Sequence, residues 1–194
     1  MRILILKTII HIIWEVMKMT RDELCKSIYK VAHLQGTFKL RSGQISNEYF
    51  DKYLFESNPI ILSEVAKHLA KQVPEGTELL AGLEMGGIPI ATALSLETGI
   101  PVVFVRKDAK EYGTCKLAEG TNINNKQVCI VEDVVTTGGQ VLLSSEDLKG
   151  YGAKLSNVLC VIERNPEGRR KLEEVGLDLK ALFTMEDFND KSQK

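Results

Sequence analysis

Short apolar-rich runs recur along the chain. Leu79–Leu83, Ile100–Val105, Val128–Val131, Leu155–Ile162 and Leu177–Phe183 read as strands. Val128–Val131 is unbroken and has the length and composition of a strand buried on both faces. Between these runs the period changes. Pro59 stands at the first position of a helix, with Leu62, Val65, Leu69 and Val73 facing inward and Pro74 ending it. A second helix is expected after Ile88-Pro89, reaching Glu97, and a third from Val141. Strands and helices alternating from about residue 59 onward predict an α/β fold, with a mostly parallel twisted sheet flanked by helices.

The first third follows a different pattern. Thr20 and Glu23 have capping-box spacing, and Leu24, Ile28 and Val31 share one helical face before Gly36. From Thr37 to Phe55, Phe38 and Leu40 alternate with polar residues, Gly43 offers a turn and an aromatic run returns, which predicts a hairpin-like hood lying mainly within residues 20–58. Residues 1–18 form an apolar extension in which Lys7, His11, Glu15 and Lys18 recur near helical spacing, a helix with one narrow polar stripe. No stretch of it is long and uninterrupted enough to span a membrane, and no small-residue cleavage site follows. Three readings of it stay open: a packing extension, a start placed upstream of a natural beginning at Met19, or a membrane-surface anchor.

Composition narrows the function classes. A 44% hydrophobic and 26% charged content is ordinary for a globular chain, and a net charge of −1 gives no reason to expect nucleic-acid wrapping. Any anion site must therefore be a local concentration of cations and N–H groups. Cys25, Cys115, Cys129 and Cys160 show no C-x-x-C spacing, and the three histidines are scattered. This pattern fits a reduced, cytoplasmic chain without a tight structural metal.

Candidate chemistry gathers where strands end. After Val131 come Glu132 and Asp133, then Thr136-Thr137-Gly138-Gly139-Gln140 and a helix. Such a turn frees backbone N–H groups, the helix points its positive end the same way, and glycine permits close approach, so the segment is an anion cradle. The phosphate motifs G-x-x-x-x-G-K-[ST] and G-x-G-x-x-G after a strand are both missing. Carboxylates would repel a phosphate, so Glu132 and Asp133 suit sugar hydroxyls or a bound cation. Neighbours in an extended chain face opposite ways, so the two need not share a role.

Four further groups carry two readings each. Gly86 and Gly87, after the strand at Leu79–Leu83, present bare N–H groups to an anion or serve backbone shape alone. Arg106, Lys107 and Lys110, followed by Tyr112 and Gly113, leave the next strand as a polar loop, solvated or facing ligand. Arg164 offers a guanidinium fork for a carboxylate or makes a surface salt bridge. Arg41 and Tyr49-Phe50 are available to a planar ligand, or the aromatics are core.

The text EDVVTTGG, Glu132 to Gly139, resembles the phosphoribosyl-pyrophosphate (PRPP) signature of type I phosphoribosyltransferases. In this form it is most similar to that of the orotate phosphoribosyltransferases. The hood, the glycine loop, RKDAKEYG at 106–113 and Arg164 follow in the same order, so the resemblance covers nearly everything from Thr20 to Phe188. It implies the type I phosphoribosyltransferase fold, a single such domain over 19–194, and a reaction of orotate with PRPP giving orotidine 5′-monophosphate and pyrophosphate in de novo pyrimidine synthesis. It assigns PRPP to Gly86, Gly87, Arg106, Lys107, Lys110, Tyr112, Glu132, Asp133, Val134, Val135, Thr136, Thr137, Gly138, Gly139 and Gln140. Lys110, Glu132 and Asp133 would carry the chemistry, and orotate would meet Arg41, Tyr49, Phe50, Thr136 and Arg164. Mg²⁺ would arrive with PRPP, held mostly by substrate oxygens and water. A homodimer sharing the 106–113 loop across its interface is implied as well.

Two positions depart from the family pattern. Some members carry lysine at the Gly86 position, and many carry histidine at the Tyr112 position. Two rival readings remain: a transferase for another base, such as uracil or a purine, and a PRPP-binding regulator. The near-neutral charge and the full set of loop cations favour chemistry over regulation.

Overall fold

Thr20 opens the first helix as its spacing predicts: its hydroxyl accepts the Glu23 N–H while the Glu23 carboxylate accepts the Thr20 N–H. The structure is a computed structural model and describes residues 18–40, 43–107 and 117–189. Helix α1 (Arg21–Ala32) leads into β1 (His33–Lys39) and β2 (Ile45–Phe50), an antiparallel hairpin, so the expected hood is present and begins at His33. The striped segment proposed for residues 1–18 lies outside the described residues except at Lys18.

The aromatic run after β2 is not extended chain. Asp51 accepts the Tyr53 N–H and starts a short helix α2 (Lys52–Glu56). Asn58 then caps α3 (Pro59–Ala70), with Pro59 in the first turn as predicted. That helix stops at Ala70, short of Pro74, in a tight turn in which Gln72 N–H donates to the Leu69 carbonyl.

From here strand and helix alternate: β3 (Leu79–Leu83), α4 (Gly87–Thr98), β4 (Val102–Val105), β5 (Ala118–Glu119), β6 (Gln127–Val135), α5 (Gly139–Gly150), β7 (Lys154–Glu163), α6 (Pro166–Glu174), β8 (Asp178–Thr184) and α7 (Met185–Asn189). The sheet order is β5-β4-β3-β6-β7-β8, parallel throughout except at β5, as expected from the sequence. Helix α6 was not legible in the run after Arg164. Its Asn165-Pro166 start repeats the Asn58-Pro59 signal, Asn165 accepting the Glu167 N–H.

Strand alternation explains the two cores. Leu80, Cys129, Val131, Leu159 and Val161 face α1, α3 and α4, meeting Ile28, Val65 and Leu94. Ala81, Val128, Ile130, Val158 and Cys160 face the other way, meeting Val141, Leu148 and Leu172 of α5 and α6. Both faces are covered, which is why the central strands read as apolar runs. Cys129 and Cys160 are core residues, while Cys115 lies outside the described residues.

The hood side is fastened to the end of the chain. Arg21 grips Asp187 through two contacts of 2.8 Å, donates to the Leu182 carbonyl, and lies 4.7 Å over the Phe183 ring. Met19 is tied to α3, its N–H donating to Glu64 and its carbonyl 2.8 Å from His68 Nε2.

Candidate active site

The two helices that follow β3 and β6 differ from those that open the other elements. Thr20, Asp51, Asn58 and Asn165 cap their helices with side chains. Helices α4 and α5 instead start from Gly86 and Gly138, with no side-chain cap and no acid in the first turn. The leading N–H groups of α5 are thus left for an anion at the C-terminal edge of the sheet, where such sheets bind ligands, whereas α4 offers fewer, since Ile88 N–H donates to the Met85 carbonyl and Pro89 has none. Gly138 has φ +72°, a conformation that excludes most side chains. Thr136, Thr137, Gly139 and Gln140 around it are exposed, while Val135 is core.

The acid pair is not beyond the strand, as expected, but inside it. Strand β6 continues through Val135 because β7 is long enough to pair with it, Glu132 opposite Cys160 and Val135 opposite Glu163. Despite adjacent positions, Glu132 and Asp133 converge in one cluster. Asp133 is wholly buried, its Oδ1 accepting the Val134 N–H. Lys52 Nζ stands 2.5 Å from Asp133 Oδ2, and Glu56 and Glu132 hydrogen-bond to the same carboxylate.

Three carboxyls therefore surround one ammonium. Burial, then the hydrogen bond and charge of Asp133, push Glu56 up to about 8. The same causes, burial first, raise Glu132 well above the usual carboxylate range. Burial acts on Asp133 too, but hydrogen bonds from Glu132 and Lys52 and the ammonium charge outweigh it and hold Asp133 below its ordinary value. Burial would lower Lys52, and Asp133 reverses that, leaving it raised. Glu56 Oε1, Glu132 Oε2 and Asp133 Oδ2 meet no well-aligned hydrogen-bond donor among the described residues. Burial and the Asp133 charge favour the protonated form of both glutamates, while Lys52 favours the charged form of Asp133.

The glycine loop is packed against these acids. A Cβ at Gly86 would fall on the Asp133 carboxylate, and one at Gly87 would strike the Val131 carbonyl. Backbone shape thus requires both glycines, whatever ligand their N–H groups meet. Nearby, Glu84 Oε1 accepts the Lys107 N–H at 2.5 Å, and Arg106 Nε lies 3.5 Å from Glu119 Oε1. Lys110 and Tyr112 lie outside the described residues, as does Arg41.

Tyr49, Phe50, Thr136 and Arg164 line one cavity of about 190 Å³, together with Lys52, Val134, Ile162 and Met185. Arg164 is exposed and makes no ion pair among the described residues; the neighbouring Glu163 is held by Arg169 at 2.6 Å instead. A cavity of about 380 Å³ at Leu117–Ile123 and Tyr151 has no charged side chain among its described walls, so it does not suit an anion.

Lys52 and Glu56 were missed in the sequence. Their signal was a cation and an acid one helical turn apart, just after Asp51, in text that otherwise reads as a strand. Only the fold shows that this turn lies over the acid pair. Among the described residues no group of three or more His, Cys, Asp or Glu side chains is arranged to hold a metal ion.

Comparison with known proteins agrees with this geometry. The family profile described as "Phosphoribosyl transferase domain" matches residues 55–187. The orotate phosphoribosyltransferase of a Nocardioides species is 50% identical over 167 residues, 86% of this chain and 93% of the relative. The crystal structure of Mycobacterium tuberculosis H37Rv orotate phosphoribosyltransferase in complex with Fe(III) dicitrate superposes with a TM-score of 0.79 at 25% identity, covering 87% of this chain and 98% of that one. A second structure of the same mycobacterial protein, in complex with PRPP, shares the fold with a TM-score of 0.75 at 23% identity, over 87% and 98% of the two chains. With half of the 167 aligned residues identical, over 86% of its length, the chain belongs to the phosphoribosyltransferase family, in its orotate phosphoribosyltransferase branch.

Proposed function

We propose that this protein transfers the 5-phosphoribosyl group from PRPP to orotate, giving orotidine 5′-monophosphate and pyrophosphate, as a step of pyrimidine synthesis in the cytoplasm. The observation that carries the reading is one of adjacency. A cavity holding two aromatics, Thr136 and Arg164, which makes no ion pair among the described residues, adjoins the acid cluster and the uncapped start of α5. The cavity wall suits a planar anionic base, the acids a ribose, and the uncapped N–H groups a phosphate.

The charge changes of the reaction assign the roles. Breaking the anomeric carbon–pyrophosphate bond leaves an oxocarbenium-like sugar and a departing polyanion, so stabilisation is mainly electrostatic and preorganised. The 5′-phosphate sits on the N–H groups and hydroxyls of Thr136 to Gln140. Glu132 and Asp133 serve the ribose hydroxyls, and the Asp133 charge favours positive charge on the sugar. Arg106, Lys107 and Lys110 take pyrophosphate charge as it develops, Tyr112 contributes its hydroxyl, and closure of their loop keeps water from PRPP. Orotate meets Arg41, Tyr49, Phe50, Thr136 and Arg164.

The donor set fits Mg²⁺ as part of the substrate, because Asp133 is already paired with Lys52 and Glu56 and Glu132 hydrogen-bond to it rather than standing open as ligands. Bound with PRPP through substrate oxygens and water, the ion neutralises pyrophosphate charge. We further propose that residues 19–194 work as one domain and that two copies pair, each lending its 106–113 loop to the other.

The test is the Mg²⁺- and PRPP-dependent loss of orotate's near-ultraviolet absorbance, with uracil, hypoxanthine and adenine run beside it. Turnover with orotate alone is expected. Turnover with another base instead would discard the orotate assignment. PRPP binding without turnover of any base would mark the protein as a regulator.

A further inference from the structure

Asp133 is fully enclosed, and its carboxylate is crowded on every side. The Val134 N–H donates to Oδ1, the Lys52 ammonium stands 2.5 Å from Oδ2, and Glu56 and Glu132 hydrogen-bond to the same group. A ribose hydroxyl can reach Asp133 only if one partner leaves. Val134 N–H is fixed in the backbone, Glu56 is buried, and Glu132, half-buried as a residue, has its Oε2 enclosed. Lys52 is different: about a third of its side chain is exposed (32%), on a long flexible stem, and it forms part of the cavity wall beside Thr136 and Arg164.

We propose that Lys52 is a pyrophosphate-binding residue of the transfer site: it occupies Asp133 while the site is empty, and passes to the pyrophosphate of PRPP when the ribose takes its place.

Two observations set the direction of this exchange. Lys52 Nζ and the backbone of Gly86 approach the same oxygen, Asp133 Oδ2, so the ammonium already stands at the glycine loop that opens α4 without a side-chain cap. Gly86 itself can bring no charge there, since any side chain would collide with that carboxylate. A cation at this loop must come from another element, and α2 provides it. A pyrophosphate carries more charge and more acceptor oxygens than a single carboxylate already shared with Glu56 and Glu132, so the exchange runs toward the ligand.

The inference rests on the proposed transferase reaction, and the test separates the two. Lys52→Met is assayed for PRPP and orotate Michaelis constants and for inhibition by magnesium pyrophosphate, after wild-type turnover with orotate is established. Expected are a tenfold or greater weakening of both PRPP and pyrophosphate, an orotate Michaelis constant within twofold, and recovery of most of the loss in Lys52→Arg. Pyrophosphate carries no ribose and has no use for Asp133. Weakened PRPP with unchanged pyrophosphate would therefore mean that Lys52 only props Asp133, and the proposal would be wrong. Unchanged affinity for both would overturn it as well. If Lys52→Met does not fold, Lys52→Gln keeps a hydrogen-bond donor on Asp133 without the charge, and the same split is expected. An inactive wild type would sink the transferase reading, not this one, since pyrophosphate binding by calorimetry still compares the two chains.

Discussion

Gly86 and Asp133 compete for one space. A Cβ on residue 86 would overlap the Asp133 carboxylate and come within 3.1 Å of the Asp133 Cβ. Gly86→Ala therefore has to push Asp133 off Lys52 or shift the start of α4. Overpacking of this kind costs about 1–3 kcal/mol of stability, which urea unfolding would measure. With Asp133 in the ribose role proposed for it, its displacement should lower turnover by about 100-fold, the usual consequence of a misplacement near 1 Å. A variant with wild-type turnover would show that Asp133 need not stand where Gly86 allows it.

Glu56 makes stability depend on pH in an identifiable window. Its carboxyl is pushed from about 4.5 when unfolded to about 8 in the fold, by burial and by its hydrogen bond to Asp133. Between these values the unfolded chain has released the proton and the folded chain has kept it. The folded state then binds more protons, so stability falls as pH rises through this range and is lowest above 8. Glu56→Gln keeps the shape and removes this titration. Its melting temperature relative to wild type should climb from pH 5 to pH 8.5, and a flat difference would mean that Glu56 ionises normally. Comparison with wild type isolates Glu56 from Glu132, which is raised in the same sense, and from Asp133, which is lowered and loses its contribution only in acid.

Sheet, hairpin and glycine turn were legible because each has a local cause. Leu79–Leu83 is a strand on its own composition, Thr20 and Asn58 are caps by side-chain chemistry, and Gly138 meets a left-handed turn. The Lys52–Asp133 pair was not legible, because its partners lie far apart in the chain and the intervening sequence carries no record of their distance. The acid pair was misread for a related reason: a strand's length is fixed by its neighbour, and β7 carries β6 on through Glu132 and Asp133. Helix α2 was hidden by aromatic residues that favour strands, Tyr53 and Phe55, until Asp51 capped it.

Arg164 is the cation that should decide the choice of base. It is exposed, unpaired among the described residues, and anchored by its N–H to the Val135 carbonyl at 2.8 Å, next to Thr136. Loss of a charge-assisted hydrogen bond worth about 1.5–3 kcal/mol corresponds to a rise of roughly 10- to 100-fold in the orotate Michaelis constant of Arg164→Ala. The PRPP constant should move less than threefold. Steady-state kinetics with each substrate varied in turn would check this, and an unmoved orotate constant would take Arg164 out of base recognition.

Lys110 and Asp133 test whether the site is shared between two copies. Asp133 belongs to the central strand β6, whereas Lys110 follows β4 in the sequence, within the 106–113 segment that the family resemblance assigns to a shared loop. If that loop serves the neighbour, Lys110→Ala and Asp133→Asn damage different halves of each site. Each variant alone should be nearly inactive, with Lys110→Ala losing turnover far more than PRPP affinity. Mixing them in equal amounts, unfolded and refolded together, gives dimers of which half are hybrid. Every hybrid then has one site with both lesions and one with neither, so about a quarter of wild-type activity should return. A loop that acts within its own subunit leaves every site with one lesion, and the mixture stays inactive. The measured recovery thus distinguishes the two arrangements, and size-exclusion chromatography of the same mixture would show that dimers had formed.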